Sequence, residues 1–292
     1  MKNAKIEWTD HTFNPWIDCQ HVSPGCDHCY AEAQNAFRKW NGGTWGPHAT
    51  RKRTSEENWK NPIKWNAGAR AFKPEHGRRP RVFCASLAGV FDKQAESTWR
   101  HDLFPLIREC RRLDWLLLTK RPQDIARMLP ADWGGGYRNV WLGVTAENQT
   151  YFDQRWKHLQ NIPAIIKFIS YEPALGPLRL PKDGPVPDWL ISGGESGGGA
   201  RPLNPQWVRD IIKDCQNRGV ALLRHSTNSG EPTTVIRSSC SRAWPSKRRS
   251  ARTHLGREEA WLTGSWCVSF RCRSVKVFQF PYQSPRWSFL TS

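Results

Sequence analysis

Three cysteines crowd into one short segment, Asp18-Cys19-Gln20-His21-Val22-Ser23-Pro24-Gly25-Cys26-Asp27-His28-Cys29-Tyr30, with the spacing Cys-x6-Cys-x2-Cys. Soft thiolates this close can wrap one soft metal centre, and Pro24-Gly25 between them allows the chain to reverse sharply. Asp18, Gln20, Asp27 and His28 make the segment polar, which argues against three buried, unligated thiols. The count of three is informative. A four-iron cluster held by three thiolates leaves one iron open to an outside ligand. A structural zinc site closes its shell with four protein ligands, so zinc is the alternative if His11, His21 or His28 supplies the fourth. Residues 31–40 read as a helix, which puts Cys29 and Tyr30 at its start, where backbone N–H groups favour negative charge. Cys84, Cys110 and Cys215 fall in apolar strand or helix patterns and read as core residues.

The elements that must position these cysteines are legible as alternation. Short apolar runs at 82–86, 115–119, 140–144, 165–170, 189–192 and 220–223 have the continuous apolar character of parallel strands covered on both faces. Helical segments are predicted at 95–111, 123–128, 149–160 and 204–218, the last opened by Asn204 as cap and Pro205 in the first turn. With a further strand at 13–17 the total is about seven, which predicts an α/β fold, a complete or partial (β/α) TIM-like barrel of parallel strands. A doubly wound open sheet is the runner-up. Polar residues follow the strands: Ser86, then Thr119-Lys120-Arg121, Thr145-Ala146-Glu147-Asn148, Ser170-Tyr171-Glu172-Pro173 and Gly193-Gly194-Glu195-Ser196-Gly197. In a parallel barrel all of them gather at the C-terminal mouth.

The chain has 292 residues and a net charge of +18, which reads either as the footprint of an anionic partner or as generic solubility charge. No run is long and apolar enough for a membrane span, and the first residues lack the apolar stretch of a secretion signal, so a cytoplasmic protein is expected. Nine cysteines there read as ligands or buried thiols rather than disulfides. The alternation stops after Arg224, which divides the chain into a barrel domain at 1–224 and a basic, irregular tail at 225–292. The tail is rich in Ser, Arg and Trp, and its codons can be chosen so that a shifted frame continues the strand pattern; a frameshifted or disordered tail is the expectation.

These motifs together resemble those of the radical S-adenosylmethionine (SAM) superfamily, whose usual loop has a shorter first gap. They resemble more closely a bacteriophage and prophage protein family of unassigned activity that carries the longer loop. The resemblance rests on Ser23-Pro24-Gly25-Cys26 with Cys29-Tyr30-Ala31, Leu118-Thr119-Lys120-Arg121-Pro122, Gly143-Val144-Thr145-Ala146-Glu147-Asn148, Ser170-Tyr171-Glu172-Pro173 and Gly193-Gly194-Glu195-Ser196-Gly197, spread over residues 5–224. It implies a radical-SAM-like barrel with a [4Fe-4S] cluster on Cys19, Cys26 and Cys29 and SAM on the open iron. SAM cleavage would then yield a radical that abstracts hydrogen from a substrate. It further implies that Glu147, Glu172 and Glu195 bind the ribose hydroxyls or ammonium of SAM, and that Ser86, Thr119 and Ser170 bind its carboxylate or ribose. Lys120 and Arg121 would hold a carboxylate or a substrate phosphate. Partners on this reading are SAM, an electron donor and an unidentified substrate, a nucleotide, nucleic acid or peptide. Gly89 stands where the resemblance implies Asp, a departure that allows for an inactive copy. The competing function is a non-catalytic nucleic-acid-binding protein stabilised by zinc or a cluster. The strand-end carboxylates weigh against it, because they repel phosphate.

Overall fold

The computed structural model describes residue 4, residues 6–196 and 199–224, and the backbone of two short strands further on. Strand β1 (His11–Thr12) opens the sheet, and β2 (Trp16–Ile17) pairs antiparallel with β3 (Lys52–Arg53) in a separate ribbon. Between them lies helix α1 (Tyr30–Arg38), and after them α2 (Glu56–Trp59) and α3 (Asn61–His76). Then strand and helix alternate: β4 (Arg81–Cys84), α4 (Ser97–Glu109), β5 (Asp114–Thr119), α5 (Ile125–Met128), β6 (Val140–Thr145), α6 (Gln149–Leu159), β7 (Ile166–Tyr171), β8 (Trp189–Ser192), α7 (Pro205–Arg218) and β9 (Ala221–Arg224).

The strands lie side by side in chain order, β1-β4-β5-β6-β7-β8-β9, with every neighbouring pair parallel. A doubly wound sheet reverses its strand order at a switch point. None occurs here, so that alternative falls. The result is a seven-strand parallel sheet curled into a partial barrel. Strands β10 (Thr234–Ile236) and β11 (Val277–Gln279) extend it antiparallel beyond β9. The irregular or frameshifted character expected of 225–292 otherwise lies outside the described residues.

The expected strand at 13–17 is corrected. Asn14-Pro15 interrupts it: the parallel strand is β1, its ladder continued by Phe13 N–H to Phe83 O at 2.9 Å, and residues 16–17 turn away to β3. Proline has no N–H to continue a ladder.

Side-chain alternation divides the core in two. Val82, Trp115, Leu117, Val140, Leu142, Ile169, Leu190 and Leu222 face the helices. Phe83, Leu116, Trp141, Phe168, Trp189, Ile191 and Leu223 face inward with Trp8. The inward aromatics interlock: Trp8 lies 4.6 Å from Phe83, and Trp189 lies 5.7 Å from both Trp141 and Phe168. The Arg81 guanidinium covers Trp141 and Trp189 at 5.0 and 5.1 Å. Arg81, Trp141 and Trp189 stand near the starts of their strands, so this end of the curl is plugged. Gly143 makes room for the plug, since a Cβ there would meet Phe168 Cζ at 2.3 Å.

Candidate functional site

The cysteine segment is built onto the strand ends by polar ties. Asn14, just past β1, uses Oδ1 to accept the N–H groups of Ser86 and Leu87, both at 2.8 Å, and donates Nδ2 to Ser86 Oγ at 3.1 Å. Asp18 adopts a left-handed φ of 95° immediately before Cys19. Its carboxylate, fully buried, accepts from Cys19 N at 2.6 Å, Gly46 N at 3.1 Å and Asn41 Nδ2 at 3.1 Å. These donors offset the strain of a non-glycine residue in that region. Burial nevertheless pushes the Asp18 acid above the usual carboxylate range, against the pull of Gly46 and Arg51. Arg51, buried below, lies 3.4 Å from Asp18 and donates Nε to Asp92 at 2.8 Å.

Two strand-end glutamates clamp the loop. Glu147, after β6, has no exposed surface; Oε1 accepts from Ser23 Oγ at 2.7 Å and Oε2 from Arg155 of α6 at 2.8 Å. Gly25 rests directly on it, because a Cβ at Gly25 would stand 2.5 Å from Glu147 Oε1. Glu195, after β8, accepts from His28 Nδ1 at 2.8 Å and from Arg201 Nε and N, both at 2.9 Å. Arg201 in turn donates to Pro24 O at 2.7 Å and lies 3.3 Å from Asp27. Burial alone would raise the Glu195 acid, but the Arg201 and His28 hydrogen bonds outweigh it and hold it at about 2. A third tie runs to β4: Tyr30 donates its hydroxyl to Ser86 O at 2.7 Å.

The cysteines in the described part form two groups. Burial pushes Cys84 and Cys215 far above the ordinary thiol range, and Cys110 up to about 12. Cys29 is also raised by burial, but the N–H groups of Glu32 and Ala31 and the charge of Lys120 oppose that rise, while Cys26 adds to it. Cys29 caps α1, as expected of a residue at a helix start. Cys19 Sγ lies 3.6 Å from an Arg121 guanidinium N–H. Among the described residues no three His, Cys, Asp or Glu side chains converge as ligands of one ion. The histidines weighed as a fourth ligand are engaged elsewhere: His11 stacks on Trp65 at 4.5 Å, His21 bonds Glu32 at 2.7 Å, and His28 bonds Glu195.

All the site residues expected from strand ends do stand at the strand ends, with unequal roles. Ser86 is taken up by Asn14 and Tyr30. Thr119 is buried, alternates with inward Leu118 and accepts from Arg121 N at 3.0 Å, so its hydroxyl faces away from the mouth. Ser170 donates to Glu172 at 3.3 Å on β7. Lys120 is half-buried and close enough to Cys29 to act on its charge. Sequence reasoning missed Arg51, Asp92 and Arg155, whose charged partners lie 8 to 41 positions away, while Arg201 pairs with Glu195 only six positions before it. A residual signal existed for Arg155 alone, as a charge on the otherwise apolar side of an amphipathic helix.

Residues 3–251 match the model of the DUF5131 family, described as proteins of unknown function, and the chain belongs to that family. No curated protein matches it. Among solved structures, it is similar to a cysteine-to-serine mutant of spore photoproduct lyase, with 14% identity, a TM-score of 0.38, and coverage of 59% of this chain and 48% of that one. It is also similar to a double mutant of spore photoproduct lyase with bound AdoMet and dinucleoside spore photoproduct, with 12% identity, a TM-score of 0.40, and coverage of 74% and 53%. The chain spans about half the length of these structures.

Proposed function

We propose that this DUF5131 protein is a radical SAM-type enzyme, with a [4Fe-4S] cluster on Cys19, Cys26 and Cys29 and SAM at the fourth iron. The observation that carries the reading is the seating of one three-cysteine loop across the C-terminal ends of parallel strands, clamped there by Glu147 and Glu195. The donor set fits the group. Three thiols of a cubane site bind three different irons, so they surround a volume rather than converge on a point. The helix-start N–H groups at Cys29, with Lys120 and Arg121, suit the negative charge of a thiolate-ligated centre. A reduced cluster with SAM on its open iron would supply one-electron cleavage of the sulfonium and radical chemistry on a bound substrate.

The chain's own residues then divide the work. Glu147 and Glu195 hold the loop, their oxygens engaged by Ser23, Arg155, His28 and Arg201. Ser170, Glu172 and Lys120 are assigned to the ribose, ammonium and carboxylate of SAM, while Ser86 and Thr119 support the strand ends they stand on. The plugged opposite end keeps ligands at the mouth. A one-electron donor is a required partner, and the net charge of +18 favours a nucleotide or nucleic acid as substrate.

The test is anaerobic purification and iron reconstitution, followed by iron analysis and electron paramagnetic resonance with and without SAM. About four irons per chain and a SAM-perturbed spectrum are expected, with binding abolished by Cys19→Ala, Cys26→Ala or Cys29→Ala. One tight zinc and no iron–sulfur absorbance would overturn the reading in favour of a structural metal.

A further inference from the structure

Arg121 is 5% exposed, and its guanidinium is charged at any working pH. A buried charge is tolerated when an opposite charge and hydrogen bonds compensate it. Arg51 is compensated by Asp92 and Asp18 and Arg155 by Glu147, while Arg100, 7% exposed, donates to Asp92 O at 3.0 Å and forms no ion pair among the described residues. Arg121 likewise forms none. Among the described residues no carboxylate pairs with it; one guanidinium N–H reaches Gln20 O at 3.0 Å and another reaches Cys19 Sγ at 3.6 Å. Its backbone N–H is fixed by Thr119 Oγ1, so the side chain leaves β5 in a set direction. Gly89 lies alongside, where a Cβ would stand 3.4 Å from the same guanidinium nitrogen, and glycine offers no side chain to claim it.

We infer that the missing counter-charge is the centre bound through Cys19, and that Arg121 is a positioning residue that raises its reduction potential. The inference rests on the reading of the three cysteines as cluster ligands. Hydrogen bonds and positive charge at the ligand sulfurs stabilise the reduced, more negative form of a cluster, and such surrounding groups are a main determinant of its potential. Arg121 supplies both at Cys19, the ligand set six residues apart from the closer pair. The electron comes from an external one-electron donor; Arg121 transfers nothing and only biases where the electron rests.

The test is a potentiometric titration followed by electron paramagnetic resonance on the reconstituted full chain, with iron content measured on each sample. Arg121→Gln removes the charge. Arg121→Lys keeps it. Gly89→Asp leaves Arg121 and its bond to Gln20 in place but sets a carboxylate against the guanidinium. Arg121→Gln and Gly89→Asp should each lower the reduced-to-oxidised ratio at a fixed potential about tenfold, a shift of about 59 mV for a one-electron couple, with iron retained. Arg121→Lys should recover most of the shift. Equal potentials in all four proteins, with iron retained, would overturn the role of Arg121 and leave the cluster reading standing. If Arg121→Gln loses iron, Gly89→Asp decides: a shift supports the inference and no shift overturns it. An unaltered chain that takes up no iron sinks both.

Discussion

Replacing Glu147 by Gln tests whether this glutamate is a clamp or a ligand of SAM. The substitution keeps shape and hydrogen-bonding capacity. The Gln carbonyl can accept from Arg155, and its amide can donate to Ser23 Oγ, which accepts as readily as it donates. What is lost is the charge beneath Arg155, a residue 4% exposed whose other fixed bond runs to Thr145 O at 2.7 Å. Removing one partner of a buried ion pair costs about 3–5 kcal/mol, because the surviving charge stays buried. With both hydrogen bonds replaceable, the lower end applies, about 3 kcal/mol. A folded region of this size loses about 2–4 °C of Tm per kcal/mol, so a fall of about 6–12 °C is expected. Thermal unfolding followed by circular dichroism, without SAM or iron, reads it directly. Adding Arg155→Met to Glu147→Gln should restore much of the loss, since the orphaned charge goes with it. A single-variant loss below about 1 kcal/mol, or a double variant no more stable than the single, would refute the clamp. A pure SAM ligand would instead leave the apo Tm unchanged and weaken SAM binding.

Two further outcomes follow from the same ties. Gly25→Ala places a Cβ 2.5 Å from Glu147 Oε1, so the loop must lift; the barrel should keep its far-ultraviolet spectrum while iron uptake falls several-fold, and full iron loading would contradict the seating. Glu195 is held at about 2, well below its ordinary 4.5, so its ion pair contributes fully above about pH 4.5 and loses that contribution as pH falls towards 2. The urea midpoint of Glu195→Gln should therefore lie below that of the parent at pH 6 and converge on it near pH 2; a gap that stays constant down to pH 3 would count against the pair.

What the sequence shows of this fold is what repeats. Continuous apolar runs located β4 to β9 to within a residue or two, because strands buried on both faces have few polar positions to blur them. Helix α3 escaped notice since it buries little beyond Pro62, Trp65 and Ala69 and carries Gly68 and Pro74, which leaves no apolar stripe to count. Strand β1 escaped because two residues make no pattern, and Pro15 stands in the run that seemed to continue it. The strand ends located these polar residues in the fold, but not the partners they take up. Glu147 reads as an open carboxylate until Ser23, far off in the chain, and Arg155, eight positions on, are folded onto it. Asp18 in a left-handed conformation and the chain from Asp18 through Arg51 to Asp92 left no trace in spacing.

Three anchors of the cysteine loop fall on alternate strands, and Arg121 after β5 adds a tie to Gln20 O. Tyr30 ties the loop to the end of β4, Ser23 and Gly25 to Glu147 after β6, and Pro24, Asp27 and His28 to Glu195 and Arg201 beyond β8. From β4 to β8 is four strand spacings, about 19 Å along the sheet. A loop fastened at both ends of that arc and at its middle resists flattening of the strands at the mouth. At the other end the wedge of Trp8, Trp141 and Trp189 holds the curl open from inside. The acids used as anchors are each matched by a cation, Glu147 by Arg155, Glu195 by Arg201 and Asp18 by Arg51. On the strands between stand Lys120 and Arg121 after β5, Arg121 donating to Gln20 O of the loop at 3.0 Å, and Ser170 and Glu172 at the end of β7. A cationic and a hydroxyl–carboxylate strand end thus lie on either side of β6, the first in reach of Cys19 and Cys29. On the proposed function, an anionic centre would stand against the first and the polar end of a cationic cofactor against the second.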